Sequence, residues 1–247
     1  MFANAENALH ADIIQRIASH ANSRPRALQT AIGCSSVGTV CDRKLGYMML
    51  NTPKFRARDT SGWMATIGTA VHTYLETVFQ ALSTDYYMTE TPVTVKHKDV
   101  EIPGTVDLYN KQFKTVVDFK VVGTTSLNNA RRGRISRQYA VQVQLYALGL
   151  QQAGHKVDKV AILFLPRNGE LSESVYWETT YDPQMAQLAI DRLRNISIAV
   201  KHAGVTALED LAVEDGPCTW CDYFNPAATE LAKGCPGKPL PTNPLIV

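Results

Sequence analysis

The sequence contains 247 residues, of which 45% are hydrophobic and 19% are charged. This balance is typical of a soluble globular protein with one sizeable domain, and it excludes a disordered or a fibrous chain. The sequence shows neither the ~18-residue apolar run of a membrane span nor a secretory signal, so we expect a cytoplasmic protein that has no membrane partner.

Three helices are predicted in the first third of the chain. Apolar residues at helical spacing place them at about residues 5–20, from 35 or 36 to 50, and at 62–82. The third helix has the strongest period, and its broad apolar stripe should pack against a large surface. The stripe consists of Ile67, Val71, Tyr74, Leu75, Val78, Phe79 and Leu82.

Strands follow between residues 86 and 122, where β-branched and polar residues alternate. Turn-like residues at Lys98-Asp99 and at Asn110-Lys111 divide this region into three strands. Further along, the same two kinds of pattern predict a helix over 136–153, strands over 159–165 and 174–180, and a helix over 183–202.

The order helix, three strands, helix, strand predicts an α/β fold with a mixed sheet flanked by helices. The tail from residue 216 is rich in Pro, Gly and Cys. We expect it to be irregular and to be held by something other than a hydrophobic core.

The sharpest motif for chemistry is a pair of acidic residues on two consecutive predicted strands. Gly104-Thr-Val-Asp107 is followed, eleven residues after Asp107, by Asp118-Phe-Lys120. If these strands are adjacent, both carboxylates can point to one end of the sheet, and Mg²⁺ or Mn²⁺ prefers such oxygen ligands. Lys120 would share the strand face of Asp118, because side chains alternate with period two.

Such a site would suit phosphodiester hydrolysis. A bound metal ion lowers the pKa of its water and stabilises charge on a phosphoryl oxygen, while a neighbouring lysine orients the water or neutralises the transition state. The alternative is an ordinary hairpin with solvated aspartates and a solvated lysine, because so short a motif recurs by chance.

Three residues on predicted helices could complete the site. His72, at the border of the apolar stripe, could supply an imidazole ligand that shifts the metal preference towards Mn²⁺. Gln142 and Tyr146 lie four residues apart, so they share a helix face and could reach one site. The alternatives are a structural histidine, and a polar helix edge with Tyr146 half in the core.

Four arginines enter the helix that carries Gln142. Their guanidinium groups would suit contacts with the phosphate backbone of a nucleic acid, which confer affinity without sequence specificity. The alternative is a solvated surface, and the formal net charge of +2 is too small to favour either interpretation. The four are Arg131, Arg132, Arg134 and Arg137.

Five cysteines, an odd number in a chain without an export signal, argue against a disulfide framework. Binding of a metal ion or a cluster is the remaining interpretation. They are Cys34, Cys41, Cys218, Cys221 and Cys235.

Taken in order, these residues resemble the RecB-like branch of the PD-(D/E)XK nuclease superfamily. The resemblance is closer to its iron-sulfur members, the CRISPR-associated RecB-like exonucleases and the AddB-type nucleases. It spans most of the chain and implies a restriction-endonuclease-like core. The matching pieces are Cys41-Asp-Arg-Lys44, Gly68-Thr-Ala-Val-His72, Gly104-Thr-Val-Asp107, Asp118-Phe-Lys120, and Gln142 with Tyr146.

The resemblance implies a DNA exonuclease that acts on single strands or DNA ends, with 5′-to-3′ polarity, in recombination, repair, or phage or CRISPR DNA processing. His72, Asp107 and Asp118 would hold Mg²⁺ or Mn²⁺ together with the Phe119 carbonyl. Lys120 would act on the water and the phosphate, while Gln142 and Tyr146 position the strand. Since the sequence has no Walker-type ATP site, unwinding would need a separate helicase or recombination protein.

The resemblance also implies an iron-sulfur cluster. Cys41, Cys218, Cys221 and Cys235 would hold a [4Fe-4S] cluster that joins an N-terminal helical portion (1–60) to a C-terminal segment (206–247), around a nuclease core (61–205). Thirteen residues separate Cys221 from Cys235, which is longer than in the family. A zinc site and free buried thiols remain alternatives, and Cys34 could replace Cys41.

Two other functions remain open at this point. One is a nucleic-acid-binding module without catalysis, in which the cysteines hold a structural metal. Carboxylates beside phosphates argue against it, because like charges repel. The other is a structure-specific endonuclease on the same fold.

Overall fold

The computed structural model describes residues 2–23, 32–55, 62–82, 85–214 and 218–238. A five-stranded mixed sheet has the strand order β1-β2-β3-β4-β5, in which only the β3–β4 pair is parallel. The prediction of an α/β fold with a mixed sheet is confirmed. The strands are β1 (Tyr87–His97), β2 (Val100–Asn110), β3 (Thr115–Val122), β4 (Lys159–Pro166) and β5 (Val175–Thr180).

Helices lie on both sides of the sheet, and alternate residues of β3 belong to separate apolar clusters on its two faces. None of the helices in the described part of the chain is long and apolar enough to span a membrane. The helices are α1 (Phe2–Asn22), α2 (Cys34–Val37), α3 (Asp42–Met49), α4 (Trp63–Gln80), α5 (Thr124–Arg131), α6 (Arg137–Gln152) and α7 (Pro183–Ala203).

Helix α6 is the centre of the larger apolar cluster. Every residue from Val141 to Leu150 is buried, because α6 packs between the sheet, α2 and α7. A helix enclosed on all sides holds its side chains in fixed positions. The polar residues Gln142 and Tyr146 therefore enter the interior beside β2 and β3 at defined places.

The predicted helix from 35 or 36 to 50 is wrong as a single element. It is two helices, α2 and α3, interrupted between Gly38 and Cys41. Gly38 packs so closely on α6 that an added Cβ would lie 2.6 Å from the Gln138 Cα atom. Cys41 caps α3, and its Sγ atom accepts a hydrogen bond from the Lys44 N–H.

The apolar stripe of α4 is only partly covered, contrary to the prediction. Val71, Leu75 and Phe79 pack on the sheet, whereas Tyr74 and Leu82 are 67% and 46% exposed. The predicted apolar positions of α1 are also exposed; they are Leu9, Ile13, Ile14 and Ile17.

The C-terminal tail is irregular, as predicted, but the expectation that no apolar core holds it is wrong. The Tyr47 and Tyr223 rings stack at 4.9 Å. They form a small buried cluster with Leu208, Cys221 and Cys235. The residues described in the tail are therefore packed against α3.

Candidate metal and phosphodiester site

A cavity of about 240 Å³ opens where β2 and β3 diverge. These strands pair from Asn110 back to Leu108 and no further within the described chain, so side chains from α4 and α6 can meet in the gap. Six predicted residues line the cavity: His72, Asp107, Asp118, Lys120, Gln142 and Tyr146. The other lining residues are Gly33, Cys34, Ser35, Glu90, Pro103, Gly104 and Thr105.

Asp107 is fixed at the point where the strands separate. Its Oδ2 atom accepts a hydrogen bond of 2.7 Å from the Phe119 N–H, a donor beyond the last β2–β3 pair. The same oxygen lies 3.6 Å from His72 Nδ1. Asp107 is 8% exposed, so its carboxylate faces the cavity rather than bulk solvent.

His72 reaches the site from α4. Its Nε2 atom lies 3.0 Å from the Phe119 carbonyl oxygen. The contact with the Asp107 carboxylate raises the pKa of His72, and burial opposes that rise. The two groups predicted as additional metal donors, the imidazole and this carbonyl, are thus adjacent.

Asp118 and Lys120 form an ion pair on β3, in which Asp118 is buried and Lys120 is half-buried. Lys120 Nζ donates to Asp118 Oδ1 at 3.1 Å and lies 2.9 Å from Oδ2. Burial raises the pKa of Asp118 to about 6, although the charge of Lys120 opposes the rise. Asp118 and Lys120 therefore lie on the same face of β3, as predicted, and both line the cavity.

Gln142 and Tyr146 are connected to Lys120 by two successive hydrogen bonds. Gln142 Oε1 accepts a hydrogen bond of 3.1 Å from Lys120 Nζ, and its Nε2 donates to the Tyr146 hydroxyl at 2.8 Å. Both residues are buried, and burial raises the pKa of Tyr146. They hold the lysine in place and also line the cavity.

Glu90 is a site residue that the sequence interpretation missed. One ligand atom each from Glu90, His72 and Asp107 lie within 4.8 Å of one another. A signal was available in the sequence. The two-residue turn at Lys98-Asp99 fixes the β1–β2 register, in which Glu90 and Asp107 both lie between the pairs Thr89–Leu108 and Thr91–Val106.

The cysteines separate into two places. Four of them line one small pocket together with Lys44, Tyr47, Val213 and Phe224; they are Cys41, Cys218, Cys221 and Cys235. Cys34 instead lines the first cavity, where burial raises the pKa of its thiol to about 12. The structure therefore places Cys41, and not Cys34, beside the three cysteines of the tail.

All four arginines of the predicted nucleic-acid patch are exposed on α5, on the start of α6 and on the loop between them. Helix α5 was not predicted, because Thr, Ser and Asn are weak helix formers. The Arg131 guanidinium donates to Asn128 and to the Glu173 carbonyl.

The chain matches no protein-family model and no curated protein. It resembles the crystal structure of SSO0001 with a TM-score of 0.52 and 15% identity, over 87% of this chain and 94% of SSO0001. This similarity shows a shared fold. The chain is also similar to the structure of an alkaline exonuclease from Laribacter hongkongensis, with a TM-score of 0.44 and 9% identity over 73% of this chain and 91% of that one. A phage-related exonuclease from Haemophilus somnus 129PT gives a TM-score of 0.45 and 13% identity over 72% of this chain and 92% of that one.

Proposed function

We propose that the protein is a metal-dependent DNA exonuclease of the RecB-like PD-(D/E)XK type. The observation that carries the proposal is the convergence of His72, Asp107, Asp118 and Lys120 in one cavity. A histidine and two carboxylates suit a divalent cation, and a fixed lysine suits the charge that develops on a transferred phosphoryl group.

The donor set fits Mg²⁺ or Mn²⁺. His72, Asp107 and Asp118 would hold the ion together with the Phe119 carbonyl, which lies beside His72. The buried Asp118 Oδ2 atom lies 2.9 Å from the Lys120 ammonium but accepts no hydrogen bond from any described residue, so a lone pair remains for a bond to the ion. A bound ion supplies a water of lowered pKa and stabilises charge on the phosphate.

Lys120 would neutralise the phosphate oxygens and orient the attacking water. Its ammonium group is held by Asp118 and Gln142 and lies 5.0 Å from the centre of the Tyr139 ring. Because these contacts fix the charge before substrate arrives, little reorganisation is needed during the reaction. Gln142 and Tyr146 contribute by holding Lys120 and by shaping the cavity wall that receives the strand.

The substrate we propose is single-stranded DNA or a DNA end, degraded with 5′-to-3′ polarity. Arg131, Arg132, Arg134 and Arg137 would bind the phosphate backbone outside the cavity, which gives affinity without sequence preference. A separate helicase or recombination protein would supply unwinding, in DNA recombination, repair, or phage or CRISPR DNA processing.

The second pocket would hold a [4Fe-4S] cluster, with zinc as the alternative. Four thiols around one small pocket suit either group. The Lys44 N–H donates to Cys41 Sγ at 3.4 Å, a contact that stabilises a thiolate ligand. Iron and zinc contents of anaerobically purified protein would decide between the two.

Cleavage of labelled DNA with Mn²⁺, Mg²⁺ or chelator tests the proposal in wild-type protein and Asp118→Ala. We expect metal-dependent products from wild type and at least a hundredfold loss in Asp118→Ala, with binding of DNA retained. Asp158→Ala removes an exposed aspartate that pairs with Lys114 and should cleave as wild type. Binding without products under any metal would support the non-catalytic binding module instead.

A further inference from the structure

Another cavity, of about 340 Å³, lies between α2, α3, the start of α6 and the tail. Its lining includes the hydroxyl groups of Ser36 and Thr39, the amide of Gln138, and the ammonium groups of Lys44 and Lys54. We call it the lysine pocket. All of these groups can donate hydrogen bonds, and two of them carry a positive charge. Such a lining suits an anion with several oxygen atoms.

The lysine pocket adjoins the first cavity across the contact between α2 and α6. Ser35 lines the first cavity, whereas its neighbour Ser36 lines the lysine pocket. Gln142 and Gln138 of α6 divide in the same way, and they lie about 6 Å apart along the helix. Gln138 Nε2 donates a hydrogen bond of 2.6 Å to the Ser35 carbonyl, which fixes this boundary. At a rise of ~3.4 Å per nucleotide, a strand in the first cavity reaches the lysine pocket within about two nucleotides.

The two lysines of the pocket are available to an anionic ligand. Lys44 is half-buried, and its ammonium group has no ion-pair partner within the described part of the chain. Lys54 Nζ lies 3.0 Å from Asp222 Oδ2, and these side chains are 61% and 34% exposed. Because so exposed an ion pair contributes little to stability, Lys54 can exchange the carboxylate for a phosphate group.

We propose that the lysine pocket binds the phosphate backbone of single-stranded DNA, next to the nucleotide that occupies the first cavity. Lys44 and Lys54 neutralise phosphate groups, and the hydroxyl groups of Ser36 and Thr39 donate to phosphate oxygens. Contacts of this kind hold a strand in register without reading its bases. The proposal rests on the proposed nuclease function and deepens it, because it assigns the path of the substrate beyond the first cavity.

Replacing either member of the exposed ion pair tests the proposal, because the two changes alter the charge of the pocket in opposite directions. Fluorescence anisotropy of a labelled oligothymidine measures binding to the full-length protein in buffer without divalent metal. Lys54→Ala should weaken binding about fivefold near 0.1 M salt and should reduce the slope of log K against log salt by about 0.7. Asp222→Asn removes the competing carboxylate, so it should strengthen binding by a similar factor and steepen the slope.

A second ion pair of similar exposure provides matched controls. Lys159 Nζ lies 2.6 Å from Glu178 Oε1, and these side chains are 52% and 31% exposed. The pair joins β4 to β5 and lines neither cavity. Lys159→Ala and Glu178→Gln change the net charge as the test variants do, and they should leave affinity and slope unchanged.

The opposite signs expected for Lys54→Ala and Asp222→Asn separate loss of a ligand group from loss of folding, which would weaken binding in both. Affinity and slope equal to those of wild type in both variants would overturn the proposal. Weaker binding in both variants would overturn it as well, since removal of a carboxylate from a phosphate site should not weaken binding.

Failure of this proposal can be distinguished from failure of the nuclease function. DNA cleavage by wild type with Mn²⁺, together with unchanged binding in Lys54→Ala and Asp222→Asn, would keep the nuclease and reject the lysine pocket. Opposite shifts in the two variants, with no cleavage by wild type, would keep the lysine pocket and reject the nuclease.

Discussion

At the scale of single residues, a chain of hydrogen bonds leads from a buried tyrosine to a buried carboxylate. Gln142 donates to the Tyr146 hydroxyl and accepts from Lys120, which also contacts Asp118. Each of these contacts restricts the next side chain. A lysine held in this way presents its charge at one position, which is the condition for electrostatic stabilisation of a transition state.

Tyr146→Phe tests this chain. It leaves the buried Gln142 Nε2 without its acceptor, so we expect the free energy of unfolding to fall by about 1–3 kcal/mol. The cleavage rate should fall as well, because Gln142 can rotate away from Lys120. Urea denaturation and cleavage assays measure the two effects. Tyr176→Phe, which removes an exposed hydroxyl bonded to Glu178, should change neither, and an equal effect of both variants would contradict this role for Tyr146.

Cys34 should be chemically inert in the native protein. Burial raises its pKa to about 12, so roughly one molecule in ten thousand carries the reactive thiolate at pH 8. We expect no alkylation of Cys34 by iodoacetamide before unfolding and complete alkylation in denaturant, both measured by mass spectrometry. Rapid modification of the native protein would show that this thiol is not enclosed in the cavity wall.

The residues with signatures inside one element were predicted, whereas the prediction of Glu90 would have required the register of two strands. Asp118 and Lys120 share a face because of strand periodicity, and Gln142 and Tyr146 because of helix periodicity. No periodic pattern within β1 marks Glu90 as a site residue. Its place in the site depends on how β1 pairs with β2. The residue pattern of β1 alone does not determine that pairing.

At the scale of elements, the site requires β2 to approach α6 and α2 closely. A Cβ atom on Gly104 would lie 2.8 Å from Cys34 Sγ and 3.0 Å from Tyr146 Cε1. Glycine at this position therefore allows Tyr146 to lie against the strand. The interruption between α2 and α3 also coincides with a close approach to α6, because Gly38 packs directly against that helix. Helix periodicity does not predict such contacts between distant segments of the chain.

Gly104→Ala should destabilise the protein by about 1–3 kcal/mol, because it overfills a packed region. Cleavage should fall with it as Tyr146 is displaced. The matched control is Gly68→Ala on α4, where an added Cβ has nothing within 4 Å and should raise stability by about 1 kcal/mol through helix propensity. Thermal and urea unfolding measure both, and a neutral Gly104→Ala would contradict the close packing described here.

The arginine segment between α5 and α6 should determine affinity for DNA but not the chemistry. We expect Arg132→Ala, Arg134→Ala and Arg137→Ala in combination to weaken binding of single-stranded DNA and to reduce the slope of log K against log salt by about 2. Lys233→Ala, which removes an exposed cation paired with Glu230, is the control. An unchanged slope in the triple variant would place the DNA elsewhere on the surface.

At the scale of the whole molecule, distant parts of the chain meet at the second cysteine pocket. Cys41 caps the start of α3, while Cys218, Cys221 and Cys235 belong to the tail. The resemblance seen in the sequence assigned these residues to one group, and the structure places them around one pocket. That resemblance could not predict the stacked Tyr47 and Tyr223, because an aromatic pair 176 positions apart has no local signal.

Cys221→Ser should lose the iron or zinc that we propose for this pocket and should lower the melting temperature, because a group held by these thiols would link α3 to the tail. Cys34→Ser should retain the same metal content, since Cys34 lies in the other cavity. Elemental analysis, visible absorbance and thermal unfolding measure these outcomes. Loss of metal in Cys34→Ser, or its retention in Cys221→Ser, would contradict the grouping of the thiols.

The central claim is that the cavity hydrolyses DNA through its metal ligands and Lys120. Its most direct test is digestion of 5′-labelled and 3′-labelled single-stranded DNA by anaerobically purified protein with Mn²⁺, beside Lys120→Ala. We predict products that require metal, that appear first from the 5′ end, and that fall at least a hundredfold in Lys120→Ala. Cleavage that persists in folded Lys120→Ala, or DNA binding without any product, would contradict the claim.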